Sequence, residues 1–119
     1  MKSITYFFLF IASLLLFFVL SLGGFLYRVF VVRKDYPDYF FGCASTLSHS
    51  TNYYGADLWN RILIRPAYTV FGNRDESMSG VLGKNKRANT LTNLGEGVVY
   101  ILNKIDPNHT EKSIEEDEQ

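Results

Sequence analysis

One cysteine, two histidines, one tryptophan and three prolines are all that this 119-residue sequence offers of the residue types that most often carry chemistry or sharp turns. Cys43 has no second cysteine to pair with, so no disulfide closes within the chain and no Cys-x-x-Cys pair exists. His49 lies in a Ser/Thr run and His109 follows a proline turn, and neither has a neighbour at metal-ligand spacing. No metal, cofactor or catalytic residue is therefore expected. Ser45, Ser48 and Ser50 surround His49 but lack the Gly-x-Ser-x-Gly elbow of a nucleophilic serine. Gly80 to Lys84 lacks the spacing of a phosphate loop.

Charge is missing too, over a long stretch. Between Lys2 and Arg28 no residue is charged, and from Ile4 to Leu26 nearly all are apolar. About 20 such residues, rising 1.5 Å each, cross a hydrocarbon core of roughly 30 Å. In that medium the backbone must satisfy its own polar groups, and a helix does so. The alternative is a cleaved signal peptide, whose apolar core is shorter and ends in a small-x-small site. Leu20-Ser21-Leu22-Gly23-Gly24 fits that site poorly. Tyr27, Arg28, Arg33 and Lys34 follow as membrane-interface residues, with Trp59 further along as another. Three cations on the C-terminal flank against Lys2 and the amino group place the C-terminal part in the cytoplasm.

The net charge of zero hides an asymmetry. From Arg28 to Lys104 ten Lys and Arg face six Asp and Glu, whereas from Ile105 onward six acids face Lys112 alone. A mildly basic body beside anionic headgroups, with an acidic tail turned to solvent, fits this pattern. The scattered cations do not form the concentrated patch of a nucleic-acid binder.

The expected architecture is all-α: one transmembrane helix and its flank (1–34), an aromatic and Ser-rich loop (35–56), a small helical membrane-proximal region (57–106) and a disordered acidic tail (107–119). Pro37, Gly42 and Gly55 argue for the loop. Leu58, Ile62 and Leu63 predict a helix over 57–71, kinked or divided at Pro66. Asp75 and Glu76 read as capping acids of a helix from Ser77 to Leu82 that Gly83 ends. Over 90–105, Leu91, Leu94, Val98, Ile101, Leu102 and Ile105 form one apolar stripe, the expected interaction face. The tail carries a single apolar residue, Ile114.

Two segments carry a likeness. Phe71-Gly72-Asn73-Arg74-Asp75-Glu76-Ser77-Met78-Ser79 and the run from Ile105-Asp106-Pro107-Asn108-His109 through Lys112-Ser113-Ile114-Glu115 to Glu118 resemble a group of small bacteriophage and prophage proteins. In that group a Gly-x-x-Asp-Glu-Ser/Thr-x-Ser element precedes a helix and then a His-Cys pair, and Thr110 stands where that cysteine would be. The resemblance implies an origin and no activity. The expected function is a membrane-anchored accessory protein that binds protein partners. The alternatives are a structural subunit of a larger membrane complex, and a membrane-tethered enzyme built on His109, Asp75 and Glu76.

Overall fold

The computed structural model describes residues 1–65 and 69–117. Among them the chain forms six α-helices and one π-helical turn, with a single isolated β-bridge between Ile64 and Leu91. It is an all-α protein, and its N-terminal helix is long and apolar enough to cross a membrane. The chain divides into two compact units, Met1–Phe40 and Phe41–Gln119.

In the first unit, α1 spans Lys2–Tyr27 and passes into the π-helical turn Arg28–Val32. The membrane-length segment is Lys2–Val32, and none of its most apolar window is buried. Seventeen large apolar side chains between Ile4 and Tyr27 are exposed. Keeping each of them in water forfeits about 1.5–3 kcal/mol. The sum is several tens of kcal/mol, against a typical folding stability of about 5–15 kcal/mol. The helix ends where Arg33 turns left-handed (φ 56°) and its N–H bonds the Arg28 carbonyl at 3.1 Å. Asp35 is left-handed as well, and α2 (Tyr36–Tyr54) then begins.

The expected loop over 35–56 is therefore a helix of 19 residues. Pro37 sits in its first turn, where a missing N–H costs nothing, and Asp38 complements the exposed amides. The Ser/Thr-rich stretch satisfies itself along the helix. Thr46 Oγ1 donates to the Gly42 carbonyl (2.8 Å) and His49 Nδ1 to that of Ser45 (2.8 Å).

The second unit continues with α3 (Ala56–Ile62), α4 (Met78–Ala88), α5 (Asn93–Ile105) and α6 (His109–Asp117). α3 stops well short of the expected 71, and the expected kink at Pro66 lies outside the described residues. α4 runs through Gly83 to Ala88 instead of ending there. Leu63, Ile64, Phe71, Val81, Leu82, Leu91 and Val99 form the core, with Ile114 of α6 also fully buried.

Asparagine side chains hold the described residues of the connection from α3 to α4. Buried Asn52 of α2 donates to the carbonyls of Asn73 (2.9 Å) and Glu76 (2.7 Å) and accepts from Gly72 N–H (2.9 Å). Asn60 exchanges two hydrogen bonds with the backbone of Phe71. Asn85, also buried, donates to the Thr69 carbonyl (2.8 Å) and accepts from Thr90 Oγ1 (2.6 Å). Amide side chains thus supply the partners that a sheet would otherwise give to buried backbone.

Within the tail expected to be disordered, His109–Asp117 form α6. Thr110, Ser113 and Ile114 are buried at i, i+3 and i+4. α4 meets them with glycines: a methyl group on Gly83 would lie 2.6 Å from the Thr110 carbonyl oxygen, and one on Gly80 would overlap the Asp117 carboxylate. Two helices with small facing residues approach closely without a conspicuous apolar stripe on either.

Candidate functional site

The polar residues of the second unit converge at the start of α4. Ser77 is its N-cap, and its hydroxyl accepts from Gly80 N–H at 2.9 Å. The capping role expected of Asp75 and Glu76 falls to Ser77 instead. Asp75 is exposed, and Glu76 forms an ion pair with Lys84 at 2.6 Å. Asp117, whose side chain is almost wholly buried, accepts from Ser77 N–H (2.9 Å) and Ser77 Oγ (3.0 Å), with His49 Nε2 at 3.5 Å. A carboxylate at this helix end also complements the dipole.

Beside it lies a three-residue relay. His109 Nε2 is 3.1 Å from Ser79 Oγ, and His109 Nδ1 is 3.1 Å from Asp106 Oδ2. The ionised carboxylate can only accept, so Nδ1 carries a proton; in the neutral imidazole Nε2 then accepts from the serine hydroxyl. Lys112 Nζ holds the other Asp106 oxygen at 2.7 Å. The Lys112 ammonium, and secondarily the His109 ring, keep the exposed Asp106 carboxyl below the ordinary carboxylate range. Ser79 and His109 border a groove of about 420 Å³, with apolar walls from Phe41, Leu47, Val98 and Leu102.

Serine, imidazole and carboxylate in this order match the layout of a nucleophilic triad. Acyl transfer also needs donors aimed at a developing oxyanion. The neighbouring amides are already engaged: Ser77 N–H by Asp117, Ser79 N–H by Ser48 Oγ (3.3 Å) and Gly80 N–H by Ser77 Oγ. The relay ties α6 to α4, as does the Arg87 guanidinium, which donates to both carboxylate oxygens of Glu111. Among the described residues no cluster of His, Cys, Asp and Glu could hold a metal ion.

His109 is thus brought to Ser79 and Asp106, and neither Asp75 nor Glu76 is hydrogen-bonded to it. Sequence reasoning missed these two partners. The i to i+3 spacing of Asp106 and His109 was a signal available for one of them, and nothing local announced Ser79. The start of α4 and the α6 region meet through these contacts. Thr110 is buried, accepts no place in the groove wall, and bonds Asn103 Oδ1 through its N–H (3.1 Å).

The other expected surfaces divide. Tyr27, Arg33 and Lys34 are exposed at the end of the apolar helix, whereas Arg28 is folded under the Tyr39 ring. Trp59 is half-buried against the core and its indole N–H donates to the Thr51 carbonyl at 2.9 Å, so it belongs to the second unit's packing. Of the apolar stripe, Leu91 precedes α5 and is buried in the bridge to Ile64. Val98 and Leu102 lean on the core, while Leu94, Ile101 and Ile105 are exposed.

Comparison with protein-family models, with curated proteins and with solved structures returns no match.

Proposed function

We propose that this protein is a single-pass, membrane-anchored accessory protein of the bacteriophage type, without catalytic activity, that binds a protein partner at the bacterial inner membrane. The observation that carries the reading is α1: an apolar helix of membrane length, uncharged after Lys2, with none of its most apolar window buried. Aromatic and basic residues follow it at the depth where such side chains favour the headgroup layer. The excess of cations after the helix favours a cytoplasmic second unit. Leu94, Ile101 and Ile105 leave an apolar ridge on α5 for the partner.

Alkaline carbonate extraction tests the anchor. The full-length chain should stay with the membrane pellet, and its release would overturn the reading. Crosslinking and mass spectrometry in native membranes then separates a binding protein from a fixed subunit of a larger complex, which would appear in one stoichiometric assembly.

The Ser79–His109–Asp106 relay favours one other reading, a membrane-tethered hydrolase. A serine-directed phosphonate probe on the full-length chain decides between them, because an activated serine is modified and a merely hydrogen-bonded one is not.

A further inference from the structure

The end of α1 holds an arginine in an unusual way. The π-helical turn Arg28–Val32 places the Arg28 guanidinium 4.9 Å from the centre of the Tyr39 ring. Tyr39 is flanked by Phe25 at 6.1 Å and Phe40 at 5.9 Å, and Phe40 stacks on Tyr36 at 5.8 Å. The Tyr36 hydroxyl donates to the Val29 carbonyl at 2.6 Å and so fixes the turn. The guanidinium lies over the Tyr39 ring and, among the described residues, pairs with no carboxylate. Its Nε is turned inward, shielded from outside and without an acceptor among those residues, so an incoming ligand can meet only the rest of the fork. A fixed, partly exposed cation with no carboxylate partner calls for an oxygen anion from outside the chain.

Depth says which anion. From Ile4 to Arg28 a helix rises about 36 Å, a few ångströms more than the roughly 30 Å of hydrocarbon it crosses. With α1 across a bilayer and Ile4 at one boundary of the hydrocarbon, Arg28 reaches the layer that holds lipid phosphates. Arg33 and Lys34 add positive charge next to it, against Asp35 and Asp38.

We propose that Arg28, clamped by Tyr39 and the surrounding rings, is a seat for the phosphate of an anionic phospholipid. This rests on the membrane-anchored reading. Guanidinium matches phosphate oxygens in a planar fork that an ammonium lacks. The aromatic clamp pre-pays the ordering of the side chain, so binding requires little further reorganisation.

The test uses the full-length chain in nanodiscs of mixed phosphatidylglycerol and phosphatidylcholine, with the lipids retained on the protein counted by native mass spectrometry. Wild type should enrich the anionic lipid about fivefold, the factor that corresponds to one basic residue near a charged surface. Arg28→Gln should abolish the enrichment, and Arg28→Lys should keep only part of it. Tyr39→Leu changes no charge yet should also reduce it, whereas Arg33→Gln should leave most of it. Equal losses in Arg28→Gln and Arg33→Gln, or a Tyr39→Leu variant that behaves as wild type, would overturn the seat in favour of diffuse attraction. Displacement of the lipid by millimolar inorganic phosphate would overturn it too, making the ligand free phosphate. A chain that resists carbonate yet shows no lipid preference refutes the seat alone. Release by carbonate refutes the anchor beneath it.

Discussion

Two glycines in helices of the second unit should respond to the same substitution in opposite directions. Gly83 faces α6, and a methyl group there would sit 2.6 Å from the Thr110 carbonyl oxygen and 3.0 Å from Ile114 Cδ1. Ordinary contacts of that kind begin near 3.4 Å, so α6 must retreat by several tenths of an ångström. Overpacking of this kind costs about 1–3 kcal/mol. Gly97 is exposed on α5 and a methyl group there meets nothing within 4 Å. Each Gly→Ala change gains about 1 kcal/mol of helix propensity. That gain is common to both variants, so the difference between them isolates the packing penalty. Gly97→Ala should be stabilised by about 1 kcal/mol and Gly83→Ala destabilised by up to about 2. For a unit of this size 1 kcal/mol moves Tm by about 4–8 °C, which puts the two variants on the order of 10 °C apart. Trp59, the chain's single tryptophan, packs against the core of this unit, and its fluorescence during heating of the full-length chain in detergent reports the transition. A Gly83→Ala protein that melts with or above Gly97→Ala would refute the close approach of α4 and α6.

Asp106 has a depressed native pKa, owing first to the hydrogen bond from Lys112 and then to that from His109. A carboxyl of this kind contributes stability above its ordinary value, near 3.8, and loses it as the pH falls through the lower native value. In Asp106→Asn this part of the acid dependence should vanish, and in Lys112→Met it should shift upward in pH; an acid unfolding series unchanged in both would contradict the assignment. Ile114→Ala should cost about 2–5 kcal/mol through the cavity it leaves, measurable by urea unfolding, whereas a loss below about 0.5 kcal/mol would mean that α6 does not close the core. A serine-directed phosphonate should leave Ser79 unmodified, since the amides around it are already bonded; labelling that disappears in Ser79→Ala would make the relay catalytic. Ser79→Ala should instead lower stability by about 1 kcal/mol, the worth of one hydrogen bond across the helix pair.

The N-terminal helix was legible because its signal is compositional and needs no partner. Capping at the start of α4 is legible in kind but falls one or two residues later than Asp75 and Glu76, since acids and serine compete for the same role and only geometry shows which oxygen meets the amide. α2 was obscured by its own residues. Pro37, Gly42 and a Ser/Thr run read as a loop, yet proline sits in the first turn and the hydroxyls bond the helix's own carbonyls. α6 was obscured because its buried face is threonine, serine and one isoleucine, and such a face becomes a packing surface only against Gly80 and Gly83. Likewise the apolar periodicity over 90–105 reads as one face, whereas Leu91 is drawn into the bridge with Ile64 and only part of the stripe is exposed. The pairing of Ser79 with His109 crosses 30 positions and depends on that same helix contact.

The amide nitrogen of Asn52 faces two main-chain oxygens while its amide oxygen takes the Gly72 N–H, so this position must present a donor and an acceptor at once. An aspartate there would exchange the donor for an acceptor-only group and set its oxygen against two carbonyls in a space closed to solvent. A leucine of similar size would leave all three main-chain groups unpaired. The turn before α4 thus hangs on a single bifunctional side chain that neither a charged nor an apolar neighbour in size can replace.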